Sequence, residues 1–448
     1  MTWDRVRNSL WGIPIALIIA GGAFAVLAVH VRLPSRADPV WWLYSGDAAA
    51  TSGFLANLLT AMITMATLAI SITMVVLTLA AQSLGPRLIS IFMGDTRTKL
   101  ALGIFLGTTV YLLITLRTVV GATDSVPNLA ITVGTALVLT SIVVLLFFVH
   151  HLARSIVADT IIRRVGEALD QSIHRLLPQE KDEAPTPPRD WQPIRDTGRH
   201  FRAKVTGYIQ AVDHETAVAA AKKADAAVAL RYRPGHFVLE DDILGWGTPP
   251  ESIDEDTATA LINAVVCGPD RTPSQDLEYS IRQLVEIALR ALSPGVNDPF
   301  TACTVLDRIA ASIAKIMRRG SAQSRWCDED GAERLLIPLS SFDGIVDTAL
   351  NQIRQAGAAQ PAILIRLVDR LGQLLDHADT DQSAVLTRHI DLALATGVEN
   401  IADEADRLAL SARVASIVNL KDAGISAHGP STMDSPHDVH GDSQVYRP

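Results

Sequence analysis

Four long apolar runs occupy the first third of the chain, and no other feature restricts the fold so strongly. They extend from Leu10 to Val31, from Gly53 to about Ala80, from Leu100 to about Leu116, and from Leu129 to Val149. A bilayer core needs about 17–25 such residues per helix, and each run meets that length, the second with some to spare. Hydrocarbon offers no hydrogen-bond partner, so a spanning segment must satisfy its backbone internally, as a helix does. The first run follows Arg5 and Arg7 as the core of a signal peptide would. It is too long for that, and no small-x-small cleavage site follows, so it reads as a retained helix.

Charge divides at the same place. Through His150 the chain holds 8 Lys+Arg and 5 Asp+Glu, and the remaining residues hold 31 and 43. An acidic remainder argues against nucleic acid as a partner, since that needs a basic footprint. Arg5 and Arg7, then Arg87, Arg97 and Lys99, then Arg154, Arg163 and Arg164 fall on alternate sides of the spans. The positive-inside rule therefore places both termini in the cytoplasm. Trp41, Trp42 and Tyr44 then form an aromatic anchor at the outer interface.

No Asp, Glu, Lys or Arg lies inside a span core. Ion-coupled transporters keep such residues at the midplane, so an energised transporter is disfavoured. The second span carries a different signal. Asn57, Thr60, Thr64, Thr67, Ser71, Thr78 and Gln82 recur at alternating steps of three and four, with Met74 in the one gap and Thr73 on the other side. At about 100° per residue these positions share one face. A polar stripe of that length must meet protein or water, not lipid. It reads either as a packing seam or as the lining of an uncharged water path. Gly103 and Gly107 form a GxxxG pattern in span three, a close helix contact within or between subunits. After span two, Leu88, Ile89, Ile91, Phe92 and Met93 continue the helix past a Gly85-Pro86 kink or lie along the inner interface.

The fold class expected is a mainly α integral membrane protein. Its divisions are a four-helix transmembrane domain (1–150), a helix extending span four (151–177), a Pro-rich linker (178–193), a small β module with an inserted helix (194–250), an α-helical cytoplasmic domain (251–420) and a disordered tail (421–448). The turn-strand pattern "RPGHFVLEDDILG" gives the β module a barrel-sandwich-like character. The lysine hairpin of a biotinyl or lipoyl carrier is missing, so no covalent cofactor is expected. A single helix is read over "DEDTATALINAVVCGPD", a further one over "SQDLEYSIRQLVEIALRAL", another from Phe300 to Arg318, and four more between Ser341 and Leu420. "RGSAQSRWCDEDGAE" reads as a loop.

No P-loop, GxGxxG, GxSxG, HExxH or EF-hand pattern is present. Cys267, Cys303 and Cys327 are too far apart for a zinc or disulfide framework, and neither a metal nor a cofactor is implied. Two loops stand out. In "GPDRTPSQD", Gly268 stops a helix, Thr272 is an N-cap, Pro273 takes the first helical position and Gln275 completes a capping box. In "ALSPGVNDPFTA", Ser293-Pro294 ends a helix, Gly295 takes a left-handed conformation, Asp298 is an N-cap and Pro299 follows it. Arg271, Asp276, Arg290 and Asn297 are left over beside Asp298. They are expected to cluster where the two loops meet, as a structural clamp or a ligand or partner site.

"GPDRTPSQD", "RALSPGVNDPFTA", "GYIQAVD", "RPGHFV" and "AAQSLGPRLISIFMGD" together resemble the predicted bacterial membrane proteins of domain of unknown function 2254, over nearly the whole chain to about Leu420. His236 departs from that family, where an acidic residue often follows the glycine. The resemblance implies a bacterial inner (cell) membrane protein with four spans and a cytoplasmic domain, and no established activity. The reading that follows is a homo-oligomeric, channel-like pore lined by span two and regulated by the cytoplasmic domain. The rival is a membrane-anchored sensor or scaffold whose cytoplasmic part binds a protein partner or ligand. An enzyme comes third.

Overall fold

The computed structural model describes residues 11–31, 44, 48–84, 95–120, 127–155, 158–178, 192–320 and 324–422. Trp41, Trp42, the Gly85–Met93 segment, the Pro-rich linker beyond 178 and the tail from 423 lie outside them.

Four helices are long and apolar enough to cross a membrane: α1 (Gly12–His30), α2 (Ala48–Leu84), α3 (Thr96–Val120) and α4 (Asn128–Ser155). They match the four apolar runs, with α2 and α3 beginning several residues earlier than hydropathy places them. Asp95 explains the early start of α3, since its carboxylate accepts from the Thr98 amide and hydroxyl at 3.3 and 2.8 Å. α3 is the hub, touching α1, α2 and α4. Phe105, Tyr111 and Leu112 on it are fully buried. The one phenol among them is satisfied, with the Tyr111 hydroxyl donating to the Ala130 carbonyl at 2.9 Å. The GxxxG pair packs within the chain. A Cβ added to Gly107 would meet the Leu17 carbonyl oxygen at 2.7 Å, and Gly21 of α1 abuts the Gly107 backbone. Small residues let these two backbones approach where lipid supplies no hydrophobic drive.

α5 (Ala158–Leu176) follows α4 and buries Ile161, Ile162, Val165, Leu169 and Ile173. Beyond it comes α6 (Gln192–Thr197), and then two small sheets form. The strands are β1 (Arg199–Arg202), β2 (Gly207–Val212), β3 (Ala227–Leu230), β4 (Phe237–Val238), β5 (Ile243–Thr248), β6 (Val265–Gly268), β7 (Arg325–Cys327) and β8 (Glu333–Leu336). One sheet has the order β1-β5-β3-β8-β7 and the other β4-β2-β6. β3 and β8 are parallel, and the other pairs are antiparallel. Both sheets bury side chains in one core with α7 (His214–Lys223) and α8 (Glu255–Ala264), built on Ile209, Val212, Val228, Val238, Leu261 and Leu335.

Two expectations are corrected here. The helix read over "DEDTATALINAVVCGPD" stops at Ala264, and Val265–Gly268 is a strand paired with β2. Val265 and Val266 are β-branched and lose side-chain freedom in a helix, so an available sheet edge wins them. "RGSAQSRWCDEDGAE" contains β7 and the turn that leads into β8. Asp328 shapes that turn by accepting from the Asp330 and Ala332 amides at 3.1 and 2.9 Å, with Gly331 at φ 81°.

Helices α9 (Leu277–Ala291), α10 (Pro299–Arg319) and α11 (Phe342–Ala356) complete the first of two compact units, Met1–Ala356. α9 packs against α5, α10 and α11, and it also touches α2. The second unit, Gly357–Pro448, contains α12 (Pro361–Leu375), α13 (Thr380–Asn400) and α14 (Glu404–Asp422), packed on one another. With α11, these give the four helices expected between Ser341 and Leu420.

Candidate functional site

α2 has two unlike faces. Thr51, Leu55, Met62, Ala66, Ala69 and Val76 are buried against the other spans. Asn57, Thr60, Thr64, Thr67, Ser71, Met74 and Thr78 are all exposed. At about 100° per residue the centre of the second set lies roughly 170° from the centre of the first. The stripe thus points directly away from the bundle. Gln82 follows on the last turn of α2, with its side chain outside the described residues. Thr73, off the stripe, is half-buried and donates to the Ala69 carbonyl at 2.7 Å.

The neighbouring spans provide a control. Exposed side chains on α1 include Ile15, Ile19, Phe24 and Leu27, and those on α4 include Leu139, Ile142, Leu146 and Phe147. Such apolar surfaces suit lipid. The α2 face is the one where hydroxyls and an amide replace them. Thr60, Thr64 and Thr78 return their hydroxyls to the carbonyls of Ala56, Thr60 and Met74, each at 2.9 Å. Such back-bonding lowers the cost of facing an apolar medium. The side chains of Asn57, Thr67 and Ser71 make no hydrogen bond to a described residue. From Asn57 to Thr78 the stripe rises about 31 Å at 1.5 Å per residue, close to the thickness of a bilayer's hydrocarbon core.

At one end of the bundle the helices are tied by charge. The His151 ring nitrogen Nε2 lies 2.7 Å from Asp95 Oδ2, and Arg164 of α5 approaches the same carboxylate at 4.0 Å. Burial pushes the Asp95 carboxyl up. Hydrogen bonds from Thr98 and His151, with the charges of His151 and Arg164, outweigh it and hold the group below its ordinary value. One α3–α4–α5 junction is clamped in this way.

The two loops singled out in the sequence do not meet. They sit at opposite ends of α9, whose 15 residues span about 22 Å. At its start, Arg271 binds Asp276 through Nε at 2.7 Å and Nη2 at 2.5 Å. Arg290, Asn297 and Asp298 lie at its far end. Asp298 is the N-cap of α10, accepting from the Thr301 amide and hydroxyl at 3.1 and 2.6 Å. The left-handed residue in that turn is Asn297, at φ 48°, and not Gly295. Asparagine tolerates this conformation because its short amide is compatible with the local backbone. Thr272 and Gln275 are not a capping box either. Gln275 accepts from the Val212 amide at 2.9 Å and donates to the Val212 carbonyl at 3.1 Å, standing in for a strand partner at the end of β2.

The Arg271–Asp276 pair recruits residues that sequence reasoning missed. Arg233 donates to Glu278 at 2.5 Å, Ser340 donates to it at 3.0 Å, and Arg282 lies 3.5 Å from its other oxygen. Gly235, at φ 93°, lets the turn of "RPGH" press on the pair, since a Cβ there would strike Asp276 and come 2.7 Å from Arg271. That glycine between proline and histidine was the available signal. Burial pushes the Asp276 carboxyl up against the opposing pull of Arg271, and its Oδ1 is buried without a partner. Burial, then the Arg233 charge, holds the His236 imidazole below its ordinary value. Among the described residues no three His, Cys, Asp or Glu converge as a metal site.

A family model described as "Predicted membrane protein (DUF2254)" matches residues 7–373. The chain belongs to that family. The DUF2254 match takes in the four spans, the α2 stripe and the charged cluster at Asp276, and it ends inside α12. Among curated relatives, an uncharacterised protein of Mycobacterium bovis is 29% identical over 455 residues, covering 96% of this chain and 84% of its own length. An uncharacterised protein of Mycobacterium tuberculosis matches to the same extent. No solved structure matches.

Proposed function

We propose that this DUF2254 protein is a homo-oligomer of the bacterial inner membrane, with both termini cytoplasmic, in which the α2 stripes of several copies line a channel-like path for small uncharged or weakly selected solutes. The observation that carries this reading is the direction of the stripe. It is exposed, polar and as long as the hydrocarbon is thick, bordered on α2 by exposed Ile63, Leu68, Val75 and Leu79, while the outward face of α4 shows a single hydroxyl, Thr140, among apolar side chains. An uncovered polar stripe in lipid is costly, so copies associate through it or around water. The contact between α2 and α9 gives the cytoplasmic region a mechanical route to the lining helix.

A second reading has its own support. Thr60, Thr64 and Thr78 already satisfy their hydroxyls on their own helix. They need no water, and a dry seam between two copies would hold a membrane-anchored sensor or scaffold together. Flux of polar solutes through proteoliposomes, measured beside cross-linking of Ser71→Cys, separates the two. The pore reading expects cross-linked oligomers and flux that drops about tenfold or more in Thr67→Leu and Ser71→Leu proteins that remain oligomeric. Cross-linking without flux supports the scaffold. A monomer that neither cross-links nor conducts sinks both.

A further inference from the structure

We infer that the turn between α9 and α10 inserts Val296 and Phe300 into the lipid surface beside the spans. It concerns a different contact from the pore reading, and stands whether the stripe is wet or dry. Val296 is 56% exposed and Phe300 84% exposed, the latter the most exposed large apolar side chain among the described residues outside the candidate spans. An aromatic ring left that bare has a partner to find.

Three relations say which partner. α10 runs alongside α5 in the same direction, because Arg308 and Lys315 both bind Asp170 at 2.5 and 2.6 Å while Arg319 reaches His174 at 2.5 Å and the Leu177 carbonyl at 3.4 Å. Gly166 abuts Arg308. Counting back eight residues along each helix, about 12 Å, brings Phe300 level with Ala158, the first residue of α5. That residue comes only three positions after α4, a candidate span, ends at Ser155. α9 runs the other way, with Arg175 at the end of α5 donating to the Pro273 carbonyl at 3.0 Å. Its last turn, next to Val296, therefore lies at the membrane end too. Finally, α9 touches α2, itself a spanning helix. The turn points at the bilayer from which α4 emerges.

The chemistry of the surroundings fits a headgroup layer. Arg154 and Arg163 are exposed on either side of that level, with Asp159 exposed between them. Guanidinium groups flanking one or two apolar side chains suit an anionic interface, where the rings enter the acyl boundary and the cations meet phosphate. Asn297 and Asp298 hold the turn rigid between the two apolar side chains, with Asp298 capping α10.

Spin labels at single cysteines test this in full-length protein whose Cys267, Cys303 and Cys327 are replaced by alanine. The bilayer is a nanodisc of phosphatidylethanolamine and phosphatidylglycerol. Labels at Phe300→Cys and Val296→Cys are expected to collide with oxygen, which concentrates in lipid, and to be shielded from a water-soluble nickel chelate. The ratio should exceed several-fold that of Leu239→Cys, a 55% exposed apolar position beyond Gly235 and thus near the other end of α9. A Phe300→Cys label as open to nickel as the Leu239→Cys label overturns the inference. So does spin–spin broadening between Phe300→Cys labels, which would assign the turn to a second copy. Because Phe300 is almost bare, its replacement does not threaten the fold.

Discussion

Single residues decide how closely the elements approach. Gly107 sits at a close backbone crossing of the bundle, with the Leu17 carbonyl oxygen where a side chain would begin. A Gly107→Val substitution must push α1 off α3, which overpacking experience prices at about 1–3 kcal/mol. The thermal midpoint in detergent should fall, whereas Gly53→Ala, in open space, should not lower it. Asp170 governs a different kind of contact. Burial raises its carboxyl, and Lys315 and Arg308 pull it further down, to below the ordinary value. A depressed folded-state pKa means that the stabilisation is complete above the unfolded value of 3.8 and is lost as pH falls through the folded value. Asp170→Asn should therefore cost about 2 kcal/mol at neutral pH and flatten the acid limb of a stability–pH curve. Equal sensitivity to acid in both proteins would remove this pair from the account. Asp276 has the opposite sign. Its raised carboxyl makes ionisation in the folded state unfavourable, so its contribution declines as pH rises above the ordinary carboxylate range.

Elements show how local chemistry and neighbours share the outcome. The start of α10 was readable because Asp298-Pro299 is a self-contained cap, and the structure has the Thr301 amide on Asp298. Asp298→Ala should cost about 1 kcal/mol. A thermal midpoint equal to that of the unaltered protein would show the cap to be redundant with tertiary packing. The start of α9 was misread for the converse reason. "TPSQ" has the letters of a capping box, but a strand end at Val212 competes for Gln275 and takes it. β6, β7 and β8 were missed because three or four residues carry too little periodicity to declare themselves. β6 pairs with residues 53 to 60 positions away in chain numbering and β8 with residues 107 away, as Val265 on Val212 and Leu336 on Ala229 illustrate, while β7 is an edge strand held by β8. α5 and α9, by contrast, have long apolar faces and could be drawn from sequence alone.

For the molecule as a whole, the division after Ala356 predicts a separable C-terminal unit. A fragment beginning at Gly357 buries Leu367, Leu371, Leu386, Ile390, Leu410 and Val414 among three helices. It should give a helical spectrum with a cooperative thermal transition, and a featureless melt would count against independent folding. In the first unit the stripe on α2 is the property with functional reach. Covering it needs another copy or water, so the oligomeric state in a bilayer is the measurement on which the pore and scaffold readings both depend.

The sequence by itself determined what is set by composition and short-range periodicity. Four apolar runs dictate four helices, because hydrocarbon tolerates no unsatisfied backbone. Spacing of three and four puts Asn57, Thr60, Thr64, Thr67 and Ser71 on one face whatever surrounds them. Only the tertiary structure decided which way that face points, because direction depends on which opposite side chains the other spans accept, and Leu55, Met62 and Ala69 fill that role. The same holds for the two loops. Each could be read as a helix boundary, but whether they meet was a question of distance, and a rigid helix of about 22 Å between Asp276 and Ala291 keeps them apart.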